Sequence, residues 1–114
     1  MSLSDLTDRE REIVHRCLRV AADESSIFPD WEFHTLFGFY RPEFVAIADR
    51  WPRLDESSRD VSDAINNAMN HLLGYPHKWH KEWSSHFDFT RDELLEVFGK
   101  WRGSQTWSYV ECLR

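Results

Sequence analysis

The stretch Ser57-Ser58-Arg59-Asp60-Val61-Ser62-Asp63-Ala64-Ile65-Asn66-Asn67-Ala68-Met69-Asn70-His71-Leu72-Leu73-Gly74-Tyr75-Pro76 decides the fold. Val61, Ala64, Ile65, Ala68, Met69, Leu72 and Leu73 recur at intervals of three and four, which is the period of a helix face. Gly74 and Pro76 are stop signals, so the spacing predicts one long helix from about Ser57 to Leu73. Beside the apolar stripe runs a polar one of Asn66, Asn67, Asn70 and His71. Asparagine amides compete with the backbone for hydrogen bonds and are mediocre helix formers. A buried amide without a partner costs about 1–3 kcal/mol, so the stripe is expected to pin a neighbouring loop such as Phe28-Pro29-Asp30-Trp31.

Further along the chain, His77 to Ser85 reads as a short helix. Thr90 with Glu93 forms a capping box, opening a helix through Trp101 with Leu94, Leu95, Val97, Phe98 and Trp101 buried and Gly103 closing it. The segment Ser104 to Arg114 is expected to be irregular or helical, because a lone strand would have no sheet to join. Towards the N-terminus, Pro42 starts a helix through Trp51 that Pro52 stops, with Phe44, Ile47, Ala48 and Trp51 on one face. A short helix lies within Ile27 to Gly38, with Pro29 at a first helical position. Thr7 and Glu10 form another capping box ahead of Ile13, Val14, Cys17, Leu18, Val20 and Ala21, and Asp23-Glu24-Ser25-Ser26 ends that helix. The expectation is an all-α fold: one compact domain over residues 1–114, a bundle of about five to six short helices.

Charge narrows the function classes. The formal net charge is −6, and residues 1–63 carry all of it, with 14 acidic and 8 basic residues. Neutralising phosphates requires clustered Lys and Arg, which this chain lacks, so nucleic acid is not an expected partner. No stretch approaches the roughly 20 apolar residues of a membrane span. The start, MSLSDLTDRER, lacks the basic-then-apolar order of a secretory signal. Cys17 sits on an apolar stripe far from Cys112 and reads as a small core residue, and a reduced cytoplasmic location is the expectation.

Four constellations could carry chemistry. His77, His80 and His86, with His71 or Asp88 nearby, could supply imidazole and carboxylate ligands to zinc or another transition metal. On a helix His77 and His80 would share a face, though neither a His-Glu-x-x-His motif nor a Cys pair accompanies them. Trp79 and Trp83 would also share a face, as interface anchors or as the cap of a small core. Phe33 to Ile47 has the layout of a helix-turn-helix around Gly38, but its second helix offers Glu43, Asp49 and Arg50 where a DNA reader needs Arg, Lys, Asn or Gln. Ser84-Ser85-His86 has no nucleophile elbow around it, and the four isolated glycines form no phosphate loop.

The segments Phe28-Pro29-Asp30-Trp31-Glu32-Phe33-His34-Thr35-Leu36-Phe37-Gly38 and Asn66-Asn67-Ala68-Met69-Asn70-His71-Leu72-Leu73-Gly74-Tyr75-Pro76-His77 resemble those of a family of small bacterial proteins. The resemblance implies a bacterial origin. It implies no activity and assigns no role to any residue.

The functional expectation is therefore a small acidic non-enzymatic domain, without a cofactor, that binds another protein. Its most concrete form is an immunity or antitoxin-like inhibitor of a basic effector, because small acidic domains neutralise basic ones by electrostatic complementarity. Asp55, Glu56, Asp60 and Asp63 are the expected acidic contacts, with Trp79 and Trp83 as anchors. The alternatives are a metal-binding protein or metal-dependent hydrolase built on His77, His80 and His86, and a helix-turn-helix regulator. An exposed apolar stripe would equally suit a homodimer.

Overall fold

Thr7 and Glu10 close the expected reciprocal cap: the Thr7 hydroxyl accepts from the Glu10 amide at 3.1 Å, and the Glu10 carboxylate accepts from the Thr7 amide at 2.8 Å. Helix α1 (Asp8–Asp23) starts there. The structure is a computed structural model describing residues 3–103, so the expectations for Ser104 to Arg114, Cys112 included, lie outside the described residues. A short α2 (Asp30–Phe37) follows, with Pro29 as its cap, one position ahead of the expected place. Gly38 ends it in the left-handed region at φ 77°, a conformation that costs a residue with a Cβ.

Helix α3 (Arg41–Ala48) is shorter than expected. Turns carry the chain from Asp49 to the cis peptide Trp51–Pro52, so Trp51 stacks on His15 of α1 at 4.8 Å from outside the helix. The decisive stretch forms α4 (Arg59–Gly74), and every apolar residue of its stripe except Leu73 is buried.

The predicted helix from His77 to Ser85 is instead two pieces, a 3-10 turn at Lys78–His80 and a single turn α5 (Trp83–His86). Here the imidazoles turn back onto the end of α4. His77 Nε2 lies 2.9 Å from the Leu72 carbonyl and His80 Nε2 lies 2.8 Å from the Tyr75 carbonyl, which caps α4 and prevents a continuous helix. Helix α6 (Arg91–Arg102) has half of the expected capping box. The Thr90 hydroxyl accepts from the Glu93 amide, while the Glu93 carboxylate is taken by Arg9 of α1 at 3.2 Å.

Helices α1 and α4 pack against each other, α3 covers α1, and α6 lies across both. The result is an all-α single-domain bundle with no strand among the described residues. Its radius of gyration of 13.2 Å matches the roughly 13 Å of a close-packed chain of this size. Among the described residues, no helix is long and apolar enough to cross a membrane.

Candidate functional site

The two segments singled out in the sequence are packed against each other. Phe28, fully buried ahead of α2, sets its ring 5.2 Å from Phe37, 5.6 Å from Tyr75 and 5.9 Å from His77. The polar stripe of α4 reaches the carbonyls that α2 leaves open at its C-terminus. Asn67 Nδ2 donates to Phe37 O at 3.1 Å, and His71 Nε2 lies 2.5 Å from Leu36 O. The amides do pin a neighbour, but at the end of α2 and not at Phe28–Trp31. Asn66 takes a different partner, accepting from the buried guanidinium of Arg102. Tyr75 donates its hydroxyl to Glu32 Oε2, joining the segments again.

Arg41 fixes α2 from its other side. Its guanidinium donates to the carbonyls of Ala21 and Ala22 at 2.8 Å, to the Phe28 carbonyl, and to Asp30 at 2.5 Å. With α2 held at both ends, Trp31 projects into solvent at 82% exposure. Tyr40, at 64% exposure, stacks on His34 at 4.4 Å. The other described tryptophans are buried or half-buried, so Trp31 stands apart. Sequence reasoning missed it, although Asp30, Glu32, His34 and Thr35 around it are polar and the apolar side of α2 runs through Phe33 and Phe37.

Trp79 and Trp83, the expected anchors, are both buried, which corrects that expectation. Trp79 stacks on His86 at 3.8 Å, and the Trp83 indole donates to the Phe89 carbonyl at 2.7 Å. With Phe87 and Phe89 they form the core of the 77–89 segment. Of the expected acidic contacts, Asp55 and Asp60 are exposed and Asp63 is half-buried beside Arg59 at 3.7 Å. The Asp55 carboxylate accepts from Ser57 Oγ at 2.5 Å and the Ser57 amide at 3.1 Å, which holds it below the usual carboxylate range. Glu56 turns inward, accepting from the Leu3 amide at 2.9 Å and the Trp101 indole at 2.9 Å, so it braces the fold and is not free to meet a partner. Leu95, expected in the core, is 59% exposed.

His77, His80 and His86 do not converge. His77 and His80 stack at 3.9 Å with their Nε2 atoms on separate carbonyls, while His86 lies flat on Trp79 with Nε2 3.3 Å from Glu82. Among the described residues, no group of three or more His, Cys, Asp or Glu side chains is placed to hold a metal ion. The helix–Gly–helix layout around Gly38 is present, but the exposed side chains of α3 are Pro42, Glu43 and Ala46, none of which donates to a base edge.

Burial holds the imidazoles of His15, His71 and His77 below their ordinary value of 6.5. The unfolded chain therefore takes up these protons at a higher pH than the folded one, and folding stability is complete only above 6.5. Thermal unfolding is expected to move steadily to lower temperature between about pH 7 and about pH 5, before most carboxylates titrate. A midpoint that stays flat across that range would mean these imidazoles are not buried as described.

Comparison with known proteins finds no match to the chain among family models, curated proteins or solved structures.

Proposed function

We propose that this chain is a non-enzymatic protein-binding domain that recognises a basic protein, an immunity or antitoxin-like inhibitor being its most concrete form. The observation that carries this reading is Trp31, a large aromatic side chain 82% exposed on a helix that side-chain hydrogen bonds hold at both ends. Tryptophan in water gains most by being covered, and it is enriched among the residues that dominate protein interfaces. A helix fixed in advance loses little further entropy when a partner docks. The net charge of −6 supplies the second half of the argument, since it attracts a basic partner and speeds its approach.

The acidic contribution now rests on Asp55, Asp60 and Asp63, because Glu56 is committed to the fold. Trp31 replaces Trp79 and Trp83 as the anchor.

Trp31→Ala is expected to leave the unfolding midpoint unchanged and to weaken binding of the partner recovered from the native cell by about tenfold or more. Joint replacement of Asp55, Asp60 and Asp63 by asparagine should slow association and flatten its salt dependence while leaving dissociation nearly unchanged. Wild-type affinity in Trp31→Ala, measured by calorimetry, would remove the ground for this reading.

A further inference from the structure

Pro76 has no amide hydrogen, so the Leu72 carbonyl near the end of α4 has no helical donor four residues on. His77 fills that place, its Nε2 2.9 Å from Leu72 O, while His80 Nε2 lies 2.8 Å from Tyr75 O. A ring nitrogen against a carbonyl carries the hydrogen, so the neutral His77 ring is protonated at Nε2 and bare at Nδ1. That Nδ1 is buried and has no hydrogen-bond partner among the described residues. The two imidazoles stack with centroids 3.9 Å apart, and His77 meets the Phe28 ring edge-on at 5.9 Å.

A second proton on His77 enters at Nδ1, where it finds no acceptor, next to the His80 ring and in the field of the Arg91 guanidinium of α6. Among the described residues no carboxylate bonds either ring: Glu82 of the same segment bonds His86, and Glu32 of α2 accepts from the Tyr75 hydroxyl. Lys78 and Lys81, exposed on the segment, add only positive charge. Burial first, then His80 and Arg91, hold the His77 imidazole below its ordinary value of 6.5.

The chain beyond His77 is built to move as a unit. Its 3-10 turn and α5 pack chiefly on each other. Ring pairs among Trp79, Trp83, Phe87 and Phe89 lie 4.6–6.1 Å apart. Besides the two imidazoles, its side-chain ties to the bundle are Arg16 of α1, donating to His86 O at 3.1 Å, and Arg9 of α1, donating to Asp88 O at 2.8 Å, both at the exposed surface.

We propose that this segment is a pH-sensitive latch. Proton uptake at His77 Nδ1 parts the stacked imidazoles, frees both rings from the end of α4 and opens residues 77–89 while the bundle stays folded. The open form uncovers Trp79, Trp83, Phe87 and Phe89, an aromatic surface that the closed form hides. The latch involves none of the residues around Trp31 and stands whether or not Trp31 meets a partner.

One imidazole that titrates near 6.5 in the open form and stays neutral in the closed one raises the ratio of open to closed about tenfold between about pH 7.5 and about pH 5.5. Backbone hydrogen exchange of the full-length chain at those two values, corrected for the intrinsic effect of pH on exchange, reads that ratio. The hydrogen-bonded amides of Glu82, Ser85 and Phe87 are expected to exchange faster than amides in the middle of α1 and α4 at both values, and to lose about tenfold in protection at the lower one. In His77→Gln, whose amide can still donate to the Leu72 carbonyl but takes up no proton, the loss should shrink below twofold. Segment amides that exchange at the same rate as those of α1 and α4 would show that residues 77–89 open only with the whole bundle, and would overturn the proposal. A tenfold loss that persists in His77→Gln would overturn it too. The wild-type comparison decides by itself if that variant does not fold.

Discussion

Phe28→Ala is expected to lower the free energy of unfolding by about 3–5 kcal/mol, the usual cost of emptying a buried phenylalanine site. Phe28 has no exposed surface, and its ring meets Phe37 from α2 and Tyr75 and His77 from the chain beyond α4. The cavity would open where the two singled-out segments join, and three aromatic rings cannot close it without moving backbone. Phe28→Leu keeps most of the volume and should cost clearly less. Urea denaturation measures both. A loss below about 1 kcal/mol for Phe28→Ala would show that the segments do not depend on this ring for their junction.

Glu56→Ala is the second large effect, expected at about 2–4 kcal/mol from the loss of charge-assisted hydrogen bonds and the groups they leave behind. The carboxylate accepts from the Leu3 amide and from the indole of the buried Trp101, tying the start of the chain and α6 to the turn before α4. Without it the Trp101 N–H is left in a buried position. Glu56→Gln retains one carbonyl oxygen and should fall between wild type and alanine. Equal stability of all three proteins by urea denaturation would contradict the bracing role. That role is also why Glu56 leaves the set of acidic contacts read from the sequence.

Much of the bundle was legible because helices announce themselves locally. The stripe from Val61 to Leu72 and the cap at Thr7 are each written within a few residues, and the structure keeps both. What escaped depends on distant partners. The Thr90–Glu93 spacing predicts a full capping box, but Arg9, 84 residues away, takes the Glu93 carboxylate. Trp79 and Trp83 have helical spacing, yet His77 and His80 bond back to the end of α4 and split the segment into separate turns. Leu95 sits at the edge of the apolar stripe of α6, where periodicity does not distinguish a wall of the core from a wall of a groove. Of the polar stripe, Asn67 and His71 pin a neighbour, as half-buried polar groups that need nearby partners do, while Asn66 meets Arg102 instead. The target of Asn67 and His71, the end of α2, depends on which helices become neighbours.

Trp31 shows the same limit from the other side. Tryptophan is ordinarily core, and only the polar character of Asp30, Glu32, His34 and Thr35 hints that its side of α2 faces water. The bundle supplies the missing information by placing Phe33 and Phe37 inside.

In-cell photo-crosslinking from position 31 tests most directly whether the exposed aromatic surface of α2 meets a basic protein. A photoreactive aromatic amino acid replaces Trp31 in one strain and the exposed Ser85 in a control strain, and captured proteins are identified by mass spectrometry. One basic protein is expected to be captured from position 31 and to be absent from position 85. The same background at both positions would contradict the claim that this aromatic surface is where the chain meets its partner.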